Sequence, residues 1–479
     1  MYCPSLEEAK ALSSQGNLVP IYREILADLE TPVSAYLKVA RGPSFLLESV
    51  EGGERLARYS FIGTEPYRIF HAPPAGRPGP DPLKEIEREL AQFRLVPVPD
   101  LPPFHGGAVG YLAYDVATHF ERLPSPESDP LELPQAIFLF TDTLLVFDHL
   151  KHKIKIVGHV RLDGDVEATY AEAVERIEAL AARLKKPLKA SAPKTIKGSR
   201  GGTVTSNISR EEYEAKVVKA KGYVFGGDII QVVPSQRLSR PTVAQPFDIY
   251  RSLRTVNPSP YMYYLDLGDC HLIGASPELL VRLEDGLVYN FPLAGTRPRG
   301  ATPEADEALA QELLTDEKER AEHIMLLDLG RNDVGRVSQP GTVKVEEPLH
   351  IVRYSHVMHL ESYVIGKIKP ELSCFDALRA CFPAGTVSGA PKIRAMEIIA
   401  ELEPDKRGPY AGAVGYFGFG GNMDTAIAIR TIVFKDGVAH VQAGGGVVAD
   451  SVPALEYQES LNKAQALLRA VDVAEAGLE

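Results

Sequence analysis

Residues 425–470 read TAIAIRTIVFKDGVAHVQAGGGVVADSVPALEYQESLNKAQALLRA. Two apolar, β-branched runs, TAIAIRTIVF and VAHVQAGG, flank Lys435-Asp436-Gly437, and an Asp-Gly pair between such runs signals a hairpin. Three glycines follow at 444–446. Ser451 and Pro453 then open a helix whose apolar stripe is Ala454, Tyr457, Leu461, Ala464 and Leu468. A hairpin feeding a long amphipathic helix sets the class as mixed helix and strand.

Outward from this stretch, the mixture continues. Leu18 to about Val160 reads mainly as short strands, among them SFLLESVEGGERLARYSFIG with Gly52-Gly53 as a turn. AIFLFTDTLLVFDHLKHKIKIVGHV reads as two strands joined near Asp148. A helix is expected from about Asp165 to Lys185. The basic, apolar-poor segment KKPLKASAPKTIKGSRGGTV marks a linker, which divides the chain into regions 1–185 and 205–479 with 186–204 between them. Ser209 and Glu212 form a capping-box pattern before a helix carrying Tyr213, Val217, Ala220 and Val224. Gly226-Gly227 ends it, and IIQVV reads as a buried strand. Thr302-Pro303 starts another helix. Asp316 and Glu319 make a second capping box ahead of AEHIMLLDL.

The chain of 479 residues exceeds one ordinary hydrophobic core, and its 44% apolar and 24% charged residues are globular values. A net charge of −12 argues against nucleic acid as a partner but leaves room for a small anion in a basic cleft. No apolar run is long enough to span a bilayer, and the start, MYCPSLEEAK, lacks a signal-peptide pattern, so no membrane partner is expected. Cys3, Cys270, Cys374 and Cys381 show no metal spacing or disulfide framework, which fits a cytoplasmic protein.

Several residues have both a plain and a chemical reading. Glu456, Glu459 and Lys463 share a helix face, either as a solvated face with an i,i+4 pair or as a ligand-facing surface delivered by the glycine run. Glu322 lies in a largely apolar helix and needs a partner, either Arg320 or Arg331 or a metal ion. Mg2+ takes oxygen ligands and often only one or two carboxylates, which Glu322 and Glu459 could supply. Glu278, after Pro277, is an ordinary strand-edge glutamate on pattern alone. Arg430 sits by parity with Ala428 and Ile432, as an edge residue or an anion-binding group. His359 alone reads as a satisfied core histidine. Walker A, GxGxxG, HExxH and GxSxG patterns are all missing, as is a cysteine elbow for glutamine hydrolysis.

From about Val204 to Ala470 the blocks GGDIIQVVPSQR, NPSPYMYY, GASPELL, FPLAGTRPRG, DEKERAEHIMLLDLGRND, RYSHVMHLES, FPAGTVSGAPK, GPYAGAVGY, AIAIRT, QAGGGVVADS and EYQESLNKA appear in one order. In these the chain resembles the chorismate-utilising enzymes, and TPVSAYLKV and FLLESVEGGERLARYSFIG resemble the N-terminal region of their anthranilate-forming members. The resemblance implies a large α+β architecture of two subdomains: stacked antiparallel β-sheets flanked by helices, with the active site in a cleft. It implies a lyase that converts chorismate and ammonia to anthranilate and pyruvate. Water-adding members carry a lysine where this chain has Gln231, which is no general base at neutral pH. Members that attack the substrate covalently carry a lysine where it has Ala294. Mg2+ held by Glu322 and Glu459 is implied, with Glu278 as the acid for the departing C4 hydroxyl and His359 serving the pyruvate-losing step. Arg430, Lys463 and Tyr410 match contacts to the pyruvyl carboxylate. Gly295, Thr296, Gly444 and Gly445 match the ring carboxylate's cradle, with Thr386 as a further contact. A glutamine amidotransferase subunit supplying ammonia is implied, as is tryptophan inhibition at Glu48, Ser49, Pro260, Tyr261 and Met262. Two alternatives remain open: an aminodeoxychorismate-forming enzyme, and a non-catalytic tryptophan-binding scaffold for a glutaminase.

Overall fold

The computed structural model describes residues 2–49, 58–188, 201–354 and 357–478. Gly52-Gly53 and residues 189–200 of the linker segment lie outside these ranges. Within them the strands form two large sheets of eleven and ten strands and a two-stranded ladder, and every strand pairing is antiparallel. The class is α+β.

Each sheet draws strands from both sides of the 186–204 segment. In the eleven-stranded sheet, Ser44–Glu48 pairs with Tyr261–Asp266. In the ten-stranded sheet, Gly107–Leu112 pairs with Ala413–Gly418. The inner faces share one core: Phe45 and Phe61 from the first sheet pack with Val109, Leu139 and Val414 from the second. Outside the first sheet lie the helices Val166–Leu184, Pro246–Val256 and Pro453–Ala476, contributing Ile177, Leu253 and Leu467. Outside the second lie Arg210–Phe225, Cys374–Cys381 and Lys392–Leu402, contributing Val217, Leu378 and Ile398. Strands covered on both faces need no polar alternation, which explains continuous runs such as AIFLFT and TLLVFD, buried at all six positions each.

Local signals explain many boundaries. Ser209 and Glu212 make the reciprocal box that starts Arg210–Phe225, and Thr302 caps Pro303–Thr315. Asp436 and Gly437, at φ +50° and +74°, turn the hairpin between Thr431–Lys435 and Val438–Gly444.

Four readings need correction. AIFLFTDTLLVFDHLKHKIKIVGHV forms three strands rather than two: Ala136–Thr141 lies in the second sheet, and Thr143–Asp148 and Lys153–Arg161 lie in the first. IIQVV shrinks to Gln231–Val232, with Ile230 59% exposed, because its partner strand is only Gly389–Ala390. Asp316 caps the helix Glu317–Val337, but the Glu319 carboxylate turns to Arg297 instead of closing the box. Ser451 accepts from Val448 N rather than capping the last helix, which begins with Pro453 in its first turn. A fifth difference, in TAIAIRTIVF, builds the site.

Candidate active site

Twice in the C-terminal half the chain leaves one sheet and enters the other without a loop. His271–Ser276 belongs to the first sheet and Leu279–Glu284 to the second, so Pro277 and Glu278 are the crossing. TAIAIRTIVF does the reverse: Met423–Ile427 is in the second sheet, Thr431–Lys435 is in the first, and Ala428 to Arg430 cross between them. The strand parity expected for Arg430 therefore does not apply. Its backbone is left-handed, at φ +49°. The two crossings are tied together: Ile427 N donates to Glu278 O at 3.1 Å, and Ala275 N donates to Arg430 O at 3.0 Å. The Ser276 hydroxyl donates to Ile427 O at 2.7 Å.

A cavity of about 550 Å³ opens at these crossings. Glu278, Thr386, Tyr410 and Arg430 line it, together with Gln231 and Gly444. Ala294, Gly295, Thr296 and His359 line it from the second sheet, and Glu322, Glu459 and Lys463 from the helices Glu317–Val337 and Pro453–Ala476. Gly445 stands behind this wall, so close to the acidic helix face that a Cβ would meet Glu456 Oε2 at 2.7 Å.

Burial acts on both Glu278 and Glu322. Glu278 is 8% exposed, and burial pushes its carboxyl up to about 8. The Thr386 hydroxyl beside it tempers the rise, while the Glu361 charge adds to it. That hydroxyl makes no hydrogen bond of normal geometry. Glu322 is also raised, first by burial and then by Glu319, with Glu459 adding; Gln231 Nε2 reaches its Oε1 at 3.5 Å and opposes the rise. Lys463 pairs with Glu459 at 2.7 Å and donates to Gly444 O at 2.9 Å. Burial lowers the Arg430 guanidinium from its usual range and pushes the Tyr410 phenol up to about 12. His359 donates from Nδ1 to Gly295 O at 2.7 Å, with the Thr296 hydroxyl 3.1 Å from the same nitrogen. Burial lowers its pKa, so the ring is neutral near pH 7 with an unprotonated Nε2.

These features suit a hard divalent cation. Glu319, Glu322, Glu456 and Glu459 all line the cavity, and Glu456 keeps a buried oxygen without a partner. Among the described residues no group of three or more His, Cys, Asp or Glu is placed to hold a metal ion, so any site here rests on two carboxylates. Two carboxylates with substrate and water completing the shell is the arrangement Mg2+ commonly takes.

Sequence reasoning passed over Lys318, Glu319, Gln442, Ser451 and Asn462 as lining residues, whereas it set Glu456 with Glu459 and Lys463 on one helix face, and Glu456 does line the cavity. Helical spacing was the available signal for Glu319, which precedes Glu322 by three positions on one face. Glu456 is 9% exposed, so its face is not simply solvated.

A second cavity of about 350 Å³ lies between the sheets, and Glu48, Ser49, Pro260, Tyr261 and Met262 all line it. Glu48 is fully engaged, accepting from Tyr250 OH at 2.5 Å and from Arg254 at 2.9 and 3.1 Å. Arg282 and Asp424 also line this cavity and pair at 2.9 Å, a contribution that sequence reasoning missed.

Among the described residues no helix is long and apolar enough to cross a membrane. A family model described as chorismate binding enzyme matches residues 42–469. The chain is 50% identical over 490 residues to anthranilate synthase component 1 of Acetivibrio thermocellus, covering 99% of each chain. The crystal structure of anthranilate synthase component I from Streptococcus pneumoniae TIGR4 matches with a TM-score of 0.77 and 38% identity, over 92% of this chain and 98% of that one. MenF, the menaquinone-specific isochorismate synthase from Escherichia coli, shares the fold with a TM-score of 0.71 at 20% identity, over 97% of this chain and 98% of that one.

Proposed function

The chain belongs to the chorismate-binding enzyme family, and from that premise we propose that it joins ammonia to chorismate and releases pyruvate to give anthranilate. It is an enzyme of the lyase class. The observation that carries the reading is one cavity that brings together Glu278, buried at a sheet crossing, and Glu322 and Glu459 on the facing helices.

Hydroxide is a poor leaving group, so the C4 oxygen needs a proton as ammonia bonds to C2. A carboxyl that stays protonated to about pH 8 is suited to supply it. Mg2+ held by Glu322 and Glu459 would grip the ring carboxylate as a Lewis acid and make the ring a better electron sink. Arg430 and Lys463 hold the pyruvyl carboxylate, with Tyr410 donating to it. The backbone at Gly295, Thr296 and Gly444 receives the ring carboxylate, with Thr386 alongside. Gln231 and Ala294 offer neither a base for water nor a nucleophile, so the small neutral amine attacks directly. His359, neutral with Nε2 unprotonated, is suited to take the C2 proton as pyruvate leaves.

Ammonia comes from a separate glutamine amidotransferase subunit. Tryptophan binds the second cavity, where region 1–185, the sensing part, supplies Glu48 and Ser49 and the catalytic region 205–479 supplies Pro260, Tyr261 and Met262. Unpaired Cys270, Cys374 and Cys381 support work in a reducing cytoplasm.

The test is the purified chain with chorismate, Mg2+ and ammonium, read by anthranilate fluorescence. Anthranilate and pyruvate in equal amounts are expected. A product that keeps its pyruvyl group would select the aminodeoxychorismate-forming alternative instead.

A further inference from the structure

We propose that the buried Asp333–Lys392 pair returns a proton to Glu278 through a water-sized pocket behind its carboxyl, on the side away from the substrate. The proposal rests on the reading of Glu278 as the acid. A small cavity of about 20 Å³ adjoins the active site, lined by Glu278, Thr386, Asn290, Asp333 and Cys381 among others. That volume holds about one water. Glu278 and Thr386 line both this pocket and the main cavity, so they form the partition between them. On the partition the Thr386 hydroxyl is buried beside the Glu278 carboxyl without a hydrogen bond of normal geometry, so it can turn to hold a water there.

Across the pocket, Asp333 is 5% exposed and accepts from Lys392 Nζ at 2.7 Å. Lys392 also donates to Cys381 O at 3.2 Å, and its side chain keeps 11% of its surface exposed. Burial raises the Asp333 carboxyl, opposed by Lys392 and Arg336. Burial raises the Cys381 thiol as well, which keeps it neutral and outside the relay. Lys392, Asp333, a single water in the pocket and Glu278 thus form a sequence that leads to the rear of the partition.

The chemistry needs such a route. The C2–N bond forms, the C4–O bond breaks, and the Glu278 proton leaves with the oxygen as water. The nitrogen, now ammonium at C2, releases one proton to solvent on the open side. A proton passes from the Asp333–Lys392 pair through the pocket water to Glu278, and solvent restores the pair. One proton enters and one leaves, so the reaction consumes none. With substrate covering the front of Glu278, the rear pocket lets the carboxyl reload before the next turnover.

The experiment compares single-turnover and steady-state rates of anthranilate formation in the full chain with Mg2+ and ammonium, below pH 8 where Glu278 starts protonated. Asp333→Asn is expected to lower kcat at least tenfold with KM unchanged, while the single-turnover rate changes less than twofold. Asp333→Glu is expected to restore at least half of kcat. An unchanged kcat in Asp333→Asn, or an equal fall in both rates, overturns the proposal, since a merely structural role slows both alike. If Asp333→Asn does not fold, the wild-type solvent deuterium isotope effect decides. It should be larger in the steady state than in a single turnover, and equal effects overturn the relay. Failure of the acid reading itself looks different: Glu278→Gln would then turn over normally, whatever the Asp333 variants do.

Discussion

Glu278 trades stability for function. Burial pushes its carboxyl up to about 8 in the folded chain, from the ordinary 4.5 of an exposed glutamate. Between those values the unfolded chain has released a proton that the folded chain keeps, so stability falls as pH rises, by about 1.4 kcal/mol per pH unit. The contribution is fully present below about pH 4.5 and gone above about pH 8. Glu278→Gln should therefore be more thermostable than the wild type at pH 8 but not at pH 4.5, as melting temperatures at the two values will show; an equal difference at both contradicts the raised carboxyl. Two neighbouring glycines separate geometry from folding. A Cβ at Gly444 would stand 2.1 Å from Pro234 O, which is backbone and cannot give. Gly444→Ala should cost about 1–3 kcal/mol in denaturant unfolding. At Gly446 the obstacle is Gln231 Nε2, also at 2.1 Å, the end of a flexible side chain. Gly446→Ala should fold normally, displace Gln231 from Glu322, and lower kcat/KM at least tenfold. A stable Gly446→Ala with full activity would remove Gln231 from the site. None of this was legible in the glycine run itself, which fits a bulge or a loop equally well until the partner strand and helix are in position.

At the scale of elements, the two crossings carry Glu278 and Arg430, the proposed acid and anion contact, and their strands lead elsewhere. Leu279–Glu284 and Met423–Ile427 pair directly, with Arg282 opposite Asp424 at the wall of the second cavity. One end of this ladder lies at that cavity and the other at Glu278 and Arg430, so a ligand between the sheets has a short physical path to both. Ser49→Phe, which fills part of the second cavity, should leave ammonia-dependent anthranilate formation within about twofold of wild type and weaken tryptophan inhibition at least tenfold in a titration of initial rates. Unchanged inhibition would move the inhibitor elsewhere. Capping and turn residues made many elements readable: Ser209 with Glu212, Thr302, and Asp436-Gly437 all lie where their chemistry requires. The crossings were not readable. TAIAIRTIVF and AIFLFTDTLLVFD are apolar on both sides of their breaks, because the strands are covered on both faces whichever sheet they join. Periodicity therefore carries no mark of the switch.

At the scale of the molecule, both sheets and the core between them are built from the two sequence regions together. Gly107–Leu112 would lose its partner Ala413–Gly418, and Ser44–Glu48 its partner Tyr261–Asp266, if region 1–185 stood alone. Region 1–185 expressed alone should then lack cooperative unfolding by calorimetry, while the full chain melts in one transition; two separate transitions in the full chain would contradict the shared core. The basic segment at 186–204 is visible in the sequence, but a composition change along the chain says nothing of which strands pair across it. The central claim is that a protonated Glu278 delivers the proton that lets the chorismate hydroxyl leave. Its most direct test is Glu278→Gln measured two ways, by calorimetric chorismate binding with Mg2+ and by anthranilate formation with ammonium. Binding within about threefold of wild type and turnover reduced on the order of 10²–10⁴-fold is the predicted result; undiminished turnover in that variant would contradict the account.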